Sequence, residues 1–128
     1  MKDQWDAVAA FMEAGGQTVG QEDGSFTERF AYNERVGEEV KETCHAIADD
    51  DEVEIADGYA DIIYAAMTGL LNLAGRDKAE RVFQAVVDAN TSKVDGSLGH
   101  VRRAEKGKIL KPAGFVPPNE KIKEILRG

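Results

Sequence analysis

One cysteine, Cys44, stands in 128 residues. That excludes an internal disulfide and any zinc site needing several cysteines, and it fits a reducing, cytoplasmic compartment. Basic residues are also scarce: 16 Lys and Arg against 24 Asp and Glu leave a net charge of −8. Binding to nucleic acid polymers depends on basic surface, so that class is excluded. A small anionic substrate stays compatible, provided a metal and a few local lysines neutralise it. The absence of a DxDxDG run excludes an EF-hand calcium loop. Nothing alternates at period two over a useful length, so no strands are expected. The N-terminus has no basic-then-apolar pattern, and no signal peptide is expected. The long apolar run at 55–74 contains Asp57 and Asp61, which predicts a buried helix rather than a membrane span.

What is present is helical spacing. Trp5, Val8, Ala9, Phe11 and Met12 recur at helical intervals, and Gly15-Gly16 ends that first helix. A polar, glycine-rich loop follows. Ser25 with Glu28 three residues on forms a capping box, predicting a second helix over 26–48. Asp49-Asp50-Asp51 supplies turn and N-cap material for a third helix that runs to Ala74, stopped by Gly75. Asp77 with Glu80 repeats the cap pattern and opens a fourth helix ending near Asn90. From Thr91 the chain reads as an extended tail with a short helix at 119–127. The expectation is an all-α, four-helix-bundle-like single domain over 1–128, with its core at 26–93 and its tail at 94–128.

The third helix carries one narrow polar stripe. Asp57, Thr68 and Asn72 lie within about 40° of Asp61, and the rest of the circumference is apolar. Such a helix is central, and in a domain this small another subunit is expected to cover part of it.

The same stretch holds the chemistry. Glu38, Glu39 and Glu42 form EExxE, and Glu38 and Glu42 share a face at about 100° per residue. Glu54, Asp57 and Asp61 share a face of the next helix. Carboxylates gathered across a hairpin repel one another and resist desolvation, so a cation between them is expected. Magnesium, with its preference for oxygen ligands and retained waters, suits the set; manganese is the alternative ion. Glu42-x-x-His45 also has di-iron spacing, but the only other histidine, His100, has no matching glutamate.

EExxE, then DxxxDIIY at 57–64, then Asn90-Thr91-Ser92-Lys93, resembles the all-α nucleoside triphosphate pyrophosphatases. This is the MazG superfamily, which includes phosphoribosyl-ATP pyrophosphohydrolase and the dimeric dUTPases. The run Lys106-Gly107-Lys108-Ile109-Leu110-Lys111-Pro112, with Gly114-Phe115 and Pro117-Pro118, resembles a bacterial and phage branch similar to phosphoribosyl-ATP pyrophosphohydrolase. The likeness covers about residues 26–118.

The resemblance implies a helical dimer or tetramer and magnesium-dependent hydrolysis of a nucleoside triphosphate between its α and β phosphates. By position, Glu39 and Glu42 match metal ligands, with Glu38 a further ligand or base; Glu38 or Glu39 takes the proton from water. Asp61 matches the aspartate of the family's ExxD, but Gly58 stands where its glutamate belongs. Asp57 is the preferred substitute, although Glu54-Ile55-Ala56-Asp57 also spells ExxD. Lys93, with Lys108 or Lys111, would neutralise pyrophosphate; Asn90 would bond sugar or base; Arg35 would meet substrate or pair with a carboxylate. Phe30 and Tyr32 are core residues or base-stacking ones. The alternative to an enzyme is a non-catalytic helical dimer binding a nucleotide or a protein, an idea that Gly58 keeps open.

Overall fold

The computed structural model describes residues 2–20 and 26–128. Its helices are α1 (Lys2–Ala14), α2 (Phe26–Ala48), α3 (Glu52–Ala74), α4 (Arg76–Thr91) and α5 (Asn119–Arg127), with a 3-10 turn at Glu105–Gly107. Among the described residues there is no strand, only an isolated antiparallel bridge between Arg103 and Ile109. The fold is all-α, as the periodicity requires. No described helix is long and apolar enough to cross a membrane. The chain divides into two units, Met1–Ala79 and Glu80–Gly128.

In the first unit, local hydrogen bonding explains most helix ends. At the end of α1, Gly16 N–H donates to Glu13 O and Gln17 N–H to Met12 O at 3.1 and 2.8 Å. With Gly16 at φ 81°, this is the left-handed closure that suits glycine. The same closure ends α2, where Asp50 and Asp51 N–H donate to Ile47 O and Ala46 O. There the left-handed position is filled by Asp50 at φ 51°. Asp51 then caps α3, its Oδ1 accepting from Glu54 N–H at 3.2 Å. Asp50 and Asp51 thus fold back the α2–α3 hairpin, whose helices pack on one another, with α1 laid on α3. The expected Ser25–Glu28 capping box falls on Ser25, outside the described residues. The fourth helix differs from expectation: it starts at Arg76, so Asp77 lies in the first turn instead of capping it. The reason is Gly75, whose N–H closes α3 on Leu71 O while its own carbonyl accepts from Ala79 N–H.

The core of this unit joins Trp5, Val8, Ala9 and Met12 of α1 to Tyr32, Met67, Leu71 and Ala79. Phe11 is not part of it: the ring is 58% exposed. The polar stripe of α3 is a gradient. Asp57 is exposed, Asp61 half-buried, and Thr68 and Asn72 are buried. Asn72, 1% exposed, donates through Nδ2 to Thr18 O at 2.9 Å and Glu28 Oε1 at 3.0 Å. These bonds tie the 17–20 loop and the first turn of α2 to α3.

In the second unit, a tight turn with Lys106 and Gly107 at positive φ is flanked by Leu110 N–H donating to Arg102 O and Ala104 N–H to Lys108 O, both 2.8 Å. α5 buries Ile125, which with Ala85, Ala89, Leu98, Val116 and Pro117 lines a groove of about 520 Å³.

Candidate active site

The α2–α3 hairpin places the two carboxylate sets side by side. Burial pushes the Glu39 carboxyl above the usual carboxylate range. The charges of Glu42, then Asp61, then Asp57 push in the same direction. Glu54 is not among the charges that act on it. The Glu39 Oε2 is shut off from solvent and accepts a hydrogen bond from no donor. Glu42 and Asp57 are exposed, whereas Glu39 and Asp61 are half-buried.

Gly58 explains why its place cannot hold a glutamate. It is buried on the α3 face that meets α2, and a Cβ there would lie 2.3 Å from Thr43 Oγ1. No side chain fits at that distance unless Thr43 or one of the helices moves. Thr43 itself is fixed, its Oγ1 donating to Glu39 O at 2.8 Å. The helices therefore meet closely one turn from Glu39, and the nearby carboxylates come from Asp57 and Asp61 on either side.

Beside them lies a cavity of about 310 Å³ whose lining includes Arg35, Glu38, Glu39, Asp61, Phe11, Tyr64, Gln17 and Thr68. The Arg35 guanidinium sits 4.7 Å from the centre of the Tyr32 ring, and among the described residues no ion pair to a carboxylate accompanies this contact. A cation thus stands in the same cavity as three carboxylates, Glu38, Glu39 and Asp61. Tyr32 is a core residue; Phe30 is not, being half exposed and stacked on Phe26 at 5.9 Å. Phe11 and Tyr64 meet edge to face at 5.5 Å and 78°. Sequence reasoning had missed this pair and Gln17, because apolar spacing assigned Phe11 to the core.

Asn90, Lys93, Lys108 and Lys111 belong to the second unit. Asn90 is engaged at both ends of its amide: Nδ2 donates to Val86 O at 2.9 Å and Oδ1 accepts from Lys93 Nζ at 3.0 Å. Lys93 and Lys111 both approach the Phe115 ring, at 5.1 and 5.7 Å from its centre. Lys108 is exposed and shares none of these contacts.

Residues 10–90 match the family described as phosphoribosyl-ATP pyrophosphohydrolase. The chain belongs to this family. The family lies in the MazG-like all-α superfamily, so the chain is a pyrophosphohydrolase for nucleotide-like substrates. No curated protein matches the chain.

Members of the phosphoribosyl-ATP pyrophosphohydrolase family are generally dependent on a divalent metal. Among the described residues, no three acidic, histidine or cysteine side chains stand close enough to form a ready-made metal centre. Uncompensated carboxylates repel, which opposes their closing to ligand distance. The donors nevertheless fit a hard cation. They are all oxygens, one of them is a buried oxygen without a donor, and the family's glutamate position is closed while Asp57 is present.

Proposed function

We propose that the chain is a single catalytic domain that hydrolyses nucleoside triphosphates, ribo or deoxyribo, between the α and β phosphates to the monophosphate and pyrophosphate. The observation that carries this reading is Glu39. Its oxygen is buried without a donor and surrounded by the charges of Glu42, Asp61 and Asp57, in a cavity that also holds Arg35. A triphosphate is strongly anionic, and this acidic site accommodates it only with cations.

Glu39, Glu42, Asp57 and Asp61 would hold magnesium, with manganese a substitute. When bound, the metal neutralises phosphate charge and acidifies water for attack on phosphorus. Glu38, which lines the cavity and is not needed as a ligand, would take the proton; Glu39 is the second candidate. Arg35 supplies positive charge to the phosphates from within the cavity. On the family resemblance, Lys93, Lys108 and Lys111 supply more, and Asn90 contacts the sugar or the base.

The exposed apolar side chains of α3 support assembly with further copies. Tyr59 and Ile63, one turn apart, are 54% and 57% exposed, which favours a covered face in a homodimer or homotetramer. The test of function is pyrophosphate release from a panel of NTPs and dNTPs, with and without magnesium. Magnesium-dependent release with identified monophosphate is expected, abolished by Glu42→Gln and Asp61→Asn in protein that stays folded. Folded wild-type protein that releases nothing with any of them would leave the nucleotide-binding alternative.

A further inference from the structure

A guanidinium and a carboxylate one turn apart on a helix ordinarily pair. Arg35 stands three and four residues before Glu38 and Glu39 on α2, which is the spacing for such pairs. All three residues line the same cavity. Among the described residues, however, Arg35 makes no ion pair. Glu39 meanwhile has a buried side-chain oxygen, Oε2, that accepts from no donor. A cation without a carboxylate thus stands one helical turn from a carboxylate oxygen without a donor.

The ring of Tyr32 accounts for this. Its centre lies 4.7 Å from the Arg35 guanidinium. Tyr32 is 6% exposed and belongs to the core with Trp5, Met12, Met67 and Leu71, so tertiary packing fixes the ring independently of the cation. On α3, Gly69 leaves room for it: a Cβ there would already touch Tyr32 Cβ at 3.5 Å. A cation held over a buried ring outweighs a pair between exposed side chains such as Arg35 and Glu38, which solvent screens and side-chain entropy opposes. Contact with a ring supplies no counter-anion. It therefore leaves the guanidinium's charge and its N–H donors available to an oxyanion.

We infer that Tyr32 is a positioning residue whose ring holds Arg35 off the cavity carboxylates. Glu38 and Glu39 are then not neutralised from within the chain, and Arg35 is kept for a phosphate group of the substrate. Without the ring, Arg35 pairs with Glu38 or Glu39, and the site loses a phosphate donor and a free carboxylate together. This inference rests on the pyrophosphohydrolase reading, in which Glu39 holds metal and Arg35 meets phosphate. It adds the residue that keeps the two apart.

Inorganic pyrophosphate, titrated by calorimetry into protein saturated with magnesium, tests this without any turnover. Tyr32→Leu is expected to weaken its binding about fivefold, whereas Tyr32→Phe, which keeps the ring, should stay within about twofold of wild type. In an Arg35→Gln background, already weakened, Tyr32→Leu should change binding by no more than about twofold, because the ring then has no cation to hold. An equal loss in both backgrounds is the signature of a purely structural role and overturns the inference. So does a Tyr32→Leu protein that binds like wild type, or a wild type that binds no pyrophosphate. NMR of the wild type gives a reading that stands even if Tyr32→Leu does not fold. The Arg35 δ protons should lie upfield, in the ring current of Tyr32, and respond to pyrophosphate; protons at their ordinary position overturn the inference. Coupling between Tyr32 and Arg35 in pyrophosphate binding sustains it even if no triphosphate is turned over. Its absence overturns it even if the hydrolysis is confirmed.

Discussion

At Gly58 two opposing effects meet on one carbon. A glycine inside a helix costs about 1 kcal/mol relative to alanine, so α3 would ordinarily gain from a methyl there. The 2.3 Å approach to Thr43 Oγ1 reverses that, since overpacking of this kind costs about 1–3 kcal/mol. Gly58→Ala is expected to lower stability in urea unfolding. In a Thr43→Ala background the same change should become neutral or stabilising, by up to about 1 kcal/mol. An unchanged sign in that background would show that the contact is not the reason for the glycine. Glu39 makes a prediction of the opposite electrostatic kind. Its carboxyl lies above the usual carboxylate range in the folded chain, so the folded state binds more protons than the unfolded state. Stability of the metal-free protein therefore falls as pH rises from the ordinary carboxylate value through the raised one, and is regained on acidification through the same window. Thermal melts in chelator at pH 5 and pH 8 should show this fall in wild type and a smaller one in Glu39→Gln.

The elements are held by a few non-repeating polar contacts set among apolar ones. Asp51 ends the hairpin turn and caps α3 through Glu54 N–H. Asp51→Ala should cost about 1 kcal/mol without altering the fold. Asn72 has a larger role because it is buried and joins three segments, the 17–20 loop, α2 and α3. Asn72→Ala is expected to cost about 2–3 kcal/mol, since Thr18 O and Glu28 Oε1 lose their donor and a small cavity remains. Because the loop ending at Gly20 also bonds to Leu71 O at 3.0 Å, hydrogen exchange in Asn72→Ala should rise first at residues 17–20. Along α1, Arg76 bonds Asp6 O at 3.3 Å and pairs with Glu13. All are well exposed, so this link is worth under about 1 kcal/mol.

For the whole molecule, the acidic excess and the exposed α3 face give two measurable consequences. With a net charge of −8 and the proposed ligands Glu39, Glu42, Asp57 and Asp61 on one hairpin, cation binding is predicted to stabilise the folded chain. Magnesium at about a hundred times its dissociation constant should add about 2.7 kcal/mol, seen as a raised melting temperature that Glu42→Gln does not share. The apolar surface of α3 predicts a mass of two or four chains by light scattering. Ile63→Lys should shift it toward the monomer while leaving the helix content intact. A wild-type monomer at micromolar concentration would remove the proposed assembly.

The helix ends were legible in the chain because the signals act over three to five residues. Gly16 after α1, the aspartate run before α3 and Gly75 after it each work through hydrogen bonds to near neighbours in sequence. The carboxylate sets were legible for the same reason: spacing alone puts residues four apart on one face. The start of α4 was not, because Gly75 both closes one helix and opens the next, a dual use that a cap pattern at Asp77 does not reveal. Contacts between residues far apart followed the same division. That Asp57 rather than a residue at 58 stands near Glu39, that Phe11 leaves the core to meet Tyr64, and that Gln17 lines the carboxylates' cavity depend on how closely and at what rotation the helices pack. Periodicity sets which face of a helix is apolar; only the tertiary packing sets which part of that face is covered, and by what.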